Sequence, residues 1–152
     1  MSKQEEAELI LRLYDLRREE VMRKARNWFI GFNPTSVQDF MDTMFHPEHS
    51  AYYRMVVSYW EMAATLVNHG AIDEQLFNEA NGEHVVVFSK IQPFIPALKE
   101  QMKSPEYLPN LEKLIQKMPN SEERLTAMRE RMKEIAALRA RYAEKRQAAS
   151  GD

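Results

Sequence analysis

Few residues in this chain have the type and spacing to do chemistry. Glu61 stands inside a nearly apolar stretch, "YYRMVVSYWEMAATLVNHG", at residues 52–70. A carboxylate there either meets water or is buried and satisfied, for instance by an Arg from a terminal helix. Buried without a partner, its ionised form is costly and its pKa rises, the condition that would hint at function. "HPEHS" offers His46, Glu48 and His49. Two His three apart can share a metal on one helical face. Pro47 makes this segment a helix entry, however, so capping or surface roles are the simpler expectation. The runs "RREEVMRKAR" (17–26) and "RERMKEIAALRARYAEKR" (129–146) could form a basic surface. Acids are mixed through both, and Tyr142 is the lone aromatic. A solvated, self-paired helical face is therefore expected ahead of nucleic-acid binding.

Stronger signatures are missing from the sequence. It has no glycine-rich phosphate loop, no G-x-S-x-G and no H-E-x-x-H. A di-iron carboxylate bundle needs Glu-x-x-His on two helices. The residues three before His46, His49, His69 and His84 are Thr43, His46, Leu66 and Asn81, none of them acidic. The chain has no Cys, which excludes disulfides and thiolate chemistry. We expect no catalytic residue, no metal and no cofactor.

The elements that must position Glu61 read as helices. Strand signals are nearly absent, and all seven Pro lie between positions 34 and 119. A first helix is expected over about 4–30, where apolar residues recur every three to four positions. Others are expected over about 36–45, 50–69, 74–80, 83–103 and 104–118, the last of these with Pro109 as an alternative start, and a long final helix over about 121–147. Gly70 suits a left-handed C-cap. Asp73 suits an N-cap, with Ile72 and Phe77 as a hydrophobic staple. Ser104 before Pro105 reads as another start, and Asn120 with Glu123 as a capping box, with Ser121 as an alternative cap. Pro93 and Pro96 must bend the helix that holds them. The expected fold is all-α: a single-domain helical bundle of six to seven helices spanning 1–147, with long terminal helices and a frayed tail at 148–152.

On the helix over 50–69, Arg54, Ser58, Glu61, Thr65 and Asn68 fall in steps of four and three, one continuous polar line. The remaining positions are apolar or aromatic, so this helix sits mostly inside. Charge is uneven along the chain. Residues 27–121 hold eleven acids and six bases, whereas 122–146 holds eight bases and five acids. The first twenty residues show no signal peptide, and no run of ~18 uncharged apolar residues occurs. The expectation is a soluble, cytoplasmic protein.

Trp60 and Glu61, then Gly70, Ile72, Asp73 and Glu74, then Pro93, Phe94 and Ile95 make a recognisable series over about residues 52–116. It resembles a bacterial family of small all-helical domains of unknown function. That family has an aromatic-Glu helix, a Gly-x-Ile-Asp-Glu turn and a helix with an internal Pro-Phe-Ile. An Arg often follows that segment; here Lys99 is the nearest base. Some members carry an N-terminal membrane helix, which this chain is expected to lack. The resemblance implies the fold and no activity.

Two functions remain open at this level. One is a non-enzymatic protein–protein interaction module. Its first and last helices would pair with each other, and their projecting ends would support a homodimer. The other is a small-molecule or anion sensor with a pocket between the helices at 50–69 and 83–103. Tyr59, Trp60, Glu61 and Phe94 would line that pocket, and the carbonyl near position 89, left without its helical partner by Pro93, would help to open it.

Overall fold

A computed structural model describes residues 2–151; Met1 and Asp152, the outer ends of the expected domain and tail, lie outside the described residues. Among the described residues the regular elements are all helical. In chain order they are α1 (Lys3–Arg17), α2 (Glu20–Gly31), α3 (Val37–Met44) and α4 (His49–Asn68). After these come α5 (Glu74–Ala80), α6 (Glu83–Ile91), a 3-10 turn (Gln92–Phe94), α7 (Ile95–Gln101), α8 (Pro109–Gln116) and α9 (Ser121–Ser150). None of these helices is long and apolar enough to cross a membrane.

α4 is the axis. α2 packs along one side of it and α8 along another, with α3 near its start. Its buried face carries Tyr53, Val56, Val57, Trp60, Ala63, Ala64 and Val67. α6 packs against α8 and lays its other side on α9. Local signals at the end of α4 act as the sequence suggests. Gly70 takes φ +82°. The Gly70 N–H then bonds Val67 O and the Ala71 N–H bonds Leu66 O, the paired closure of a Schellman motif. Asp73 accepts the Leu76 N–H at 2.9 Å, and Ile72 and Phe77 on either side of it are buried.

Four expectations change. The helix over 4–30 is two helices, although no Pro or Gly divides it. Glu19 does so by accepting the Val21 and Met22 N–H groups at 3.0 and 2.9 Å, which holds its pKa below the usual carboxylate value. The spacing also suits Glu19 as an i,i+4 partner for Arg23, but its stronger use is as the cap of α2. The break lets α2 press Met22, Ala25 and Phe29 onto the core while α1 leaves along its own line. Next, the bend expected at the two Pro of the helix over 83–103 is there, and it divides that helix into α6, the 3-10 turn and α7. Ser104 does not cap a helix; its hydroxyl donates to Glu106 O, and α8 begins at Pro109. The Asn120–Glu123 capping box does not form, because Asn120 sits at φ +55° with no side-chain cap bond. Residues 148–150 continue α9 and are not frayed. These breaks raise the count above six or seven while the all-α class stands.

α1 and α9 do not form a packed pair. α9 runs back along α6 and is tied there by Arg129, whose guanidinium donates to Ser89 O and to Gln92 Oε1, both at 3.1 Å. Ser89 O is the carbonyl that Pro93 leaves without a helical partner. It serves to dock α9 and opens no pocket.

Candidate functional site

Glu61 is half-buried, and its partner is the backbone of α8 rather than an arginine. Its carboxylate accepts the Asn110 N–H at 2.6 Å and the Leu111 N–H at 3.1 Å, the first free donors of α8. Pro109 has no N–H to offer, and Leu108 holds the cap position at φ +51° with a side chain that cannot accept a bond. α8 therefore starts without a local cap, and Glu61 supplies one from another helix. The positive end of α8 favours that charge. Burial pushes the Glu61 pKa up, against the lowering by the two N–H groups. Farther along the polar line, Asn68 Nδ2 donates to Asn110 O at 2.9 Å. Ser58 and Thr65 donate back to Arg54 O and Glu61 O on their own helix. Glu61 and Asn68, the second half of the line, thus hold α8, while Arg54 and Ser58 stay exposed at its start.

The four residues expected around one pocket do not converge. Tyr59 donates its hydroxyl to Leu13 O in α1. Trp60 is buried and turns its Nε1 toward Glu83, 3.4 Å away. Phe94 packs on Phe40, with ring centroids 5.1 Å apart. Of the four, Glu61 is the one hydrogen-bonded to α8 among the described residues. Successive residues on a helix point about 100° apart, so Tyr59, Trp60 and Glu61 cannot share one face. One arginine that reaches the core from the N-terminal segment is Arg26. It pairs with Glu83, Nη2 to Oε2 at 2.7 Å with Nε on both oxygens, so α2 is clamped to α6. His46 accepts the Glu48 and His49 N–H groups through Nδ1, the capping role, and the two imidazoles stack 3.7 Å apart. Among the described residues no group of three His, Asp or Glu is placed to hold a metal ion.

Two buried groups carry more of the site's electrostatics than the sequence reading gave them. Lys90 is 5% exposed, and its ammonium donates to Phe29 O, Ile30 O and Phe32 O at 2.8–2.9 Å. It closes the C-terminal end of α2 as Glu61 closes the N-terminal end of α8. Burial, with Arg139 adding to it, brings its pKa down to about 8. The available signal was a lone Lys in the apolar run "HVVVFSKI", since Lys is almost never buried unless paired. His84 is fully buried between Trp60 and Phe77, bonded through Nε2 to Asn78 Oδ1 at 3.0 Å. Burial and then the Arg17 charge lower its pKa to about 4, so it is neutral in the fold.

The surfaces left over are on the terminal helices. From residue 137 to residue 150 every α9 position is exposed, among them Leu138 at 42% and Tyr142 at 60%. α1 exposes Leu11, Tyr14 and Leu16. No curated protein and no solved structure matches the chain. Residues 4–118 match a family described as a domain of unknown function (DUF4760), a wider reach than the 52–116 series. α9 lies beyond the matched residues. On that match, which covers most of its length, the chain belongs to the DUF4760 family.

Proposed function

We propose that this protein is a non-enzymatic helical interaction module that forms a homodimer through its terminal helices. One observation carries the reading: among the described residues both terminal helices leave large apolar side chains exposed, Leu11, Tyr14 and Leu16 on α1 and Leu138 and Tyr142 on α9. At about 1.5 Å per residue, the exposed part of α9 extends ~20 Å. A helix of that length is marginal in water without something to pack on. Its residues 137–150 hold four bases (Arg139, Arg141, Lys145, Arg146) and one acid (Glu144). α1 holds four acids (Glu5, Glu6, Glu8, Asp15) and three bases (Lys3, Arg12, Arg17). A second copy offers both surfaces with opposite charge balance, and C2 symmetry makes the two contacts equivalent. The titratable groups that could have served catalysis support the non-enzymatic part, since Glu61 and Lys90 are committed to helix ends and His84 to the core. The setting we propose is the cytoplasm.

Size-exclusion chromatography with light scattering at micromolar concentration tests this. The expected result is a dimer, reduced by Leu138→Glu with Tyr142→Glu to a monomer that still unfolds cooperatively, at a melting temperature that no longer depends on concentration. A wild-type monomer at those concentrations, or a dimer indifferent to both substitutions and to Leu11→Glu, rejects it.

A further inference from the structure

Away from both terminal helices, a cleft of about 380 Å³ lies between α3, the first half of α4 and the connection from α7 to α8. That volume is within the ~300–1,000 Å³ range of small-molecule sites. Met44, Phe45 and Met102 form its apolar wall. Phe45 is 82% exposed. A Phe that open, beside a half-exposed Met, is apolar area that a ligand would cover. Met side chains also adapt readily to an occupant.

The polar groups of the cleft narrow the ligand class. Tyr53 and Tyr107 meet hydroxyl to hydroxyl. One donates to the other, and the accepting hydroxyl keeps a hydrogen of its own. Neither hydroxyl has a second partner among the described residues, so one donor is unused at a largely buried position. Both phenols stay neutral, because burial raises their pKa. Arg54 stands at the rim, exposed, and its guanidinium forms no ion pair among the described residues. An unused neutral donor on a residue that lines the cleft and a free guanidinium at its mouth both suit an acceptor-bearing anion. The wall suits an apolar body.

We propose that this cleft binds a small apolar monocarboxylate, its carboxylate on Arg54 and its chain against Met44, Phe45 and Met102. The proposal is independent of the dimer, since none of the lining residues belongs to α1 or α9. Octanoate is a suitable probe and octanol its uncharged control, read by the methionine methyl signals in NMR. Saturable octanoate binding is expected, with shifts concentrated at Met44 and Met102 and octanol weaker by about tenfold. Arg54→Gln, an exposed change that leaves melting unaltered, should remove that difference. Met102→Trp, at a half-exposed position, should weaken both compounds by filling the cleft. The proposal fails if octanoate does not saturate below about 10 mM. It also fails if shifts spread over methionines outside the cleft, as in detergent-like adsorption, or if Arg54→Gln binds octanoate as well as wild type does.

Discussion

Two helix ends in this protein are closed by side chains from distant helices, and by opposite charges. Lys90 of α6 holds the carbonyl end of α2, and Glu61 of α4 holds the amide end of α8. Both sites exist because the local chain cannot finish its own helix. α2 ends at Gly31 with no basic residue in its last turn, and α8 starts behind a leucine in the left-handed region. They differ in depth. The ammonium is buried and makes three bonds, whereas the carboxylate is half-buried and serves two N–H groups. A deeper charge has less water to fall back on, so the α2 end should be the harder one to lose.

Lys90→Met tests that ranking at its stronger end. The substitution keeps most of the aliphatic stem and removes the donors. Three carbonyls then lose their ammonium, and the return of its desolvation cost offsets only part of the loss. We expect about 3–4 kcal/mol of destabilisation in urea unfolding. A loss below about 1 kcal/mol would mean that water closes the α2 end as well as Lys90 does.

His84 is a third buried ionisable group, and it has no helix end to serve. Its folded pKa of about 4 lies below the ordinary 6.5, so its contribution is fully present above pH 6.5. As pH falls the unfolded chain takes a proton that the fold refuses, and stability drains until the folded pKa is passed. The full loss on this account is about 3 kcal/mol. His84→Phe should flatten the profile of unfolding free energy between pH 6.5 and 4. An unchanged slope would assign the acid sensitivity to other groups.

The pieces of this fold that are legible in sequence are those set by neighbours in the chain. Gly70, Asp73 and the Ile72–Phe77 staple could be read because a cap and its helix lie within a few residues. The five-position polar line on α4 was legible from its spacing. What it touches was not, since Asn110 lies 49 residues from Glu61 and no local pattern encodes that pairing. Lys90 was missed for the same reason: its acceptors are about sixty residues earlier in the chain. The α1–α2 break was hidden because Glu19 fits an i,i+4 pair as well as it fits a cap. Placing Tyr59, Trp60, Glu61 and Phe94 in one pocket failed on geometry alone. Consecutive helical residues diverge, and Phe94 follows the Pro bend onto Phe40.

Glu61 is the shallower end of the comparison, and two substitutions separate its charge from its hydrogen-bonding capacity. Burial raises its folded pKa, so this group alone makes the fold more stable at low pH, fully so below the unfolded value of about 4.5. That contribution is lost as pH rises through the folded pKa, the reverse of the trend for His84. At neutral pH the ionised carboxylate is thus costly to hold, while its acceptors still serve α8. Glu61→Gln keeps an acceptor and removes the buried charge, and we expect a change below about 1 kcal/mol. Glu61→Ala leaves the Asn110 and Leu111 N–H groups without an acceptor, and we expect a loss of about 2 kcal/mol. Amide exchange at Asn110 and Leu111 should accelerate in the Ala variant and stay near wild type in the Gln variant. If Gln costs as much as Ala, the charge at the positive end of α8 is what matters, and Glu61 and Lys90 are then the same device at two depths.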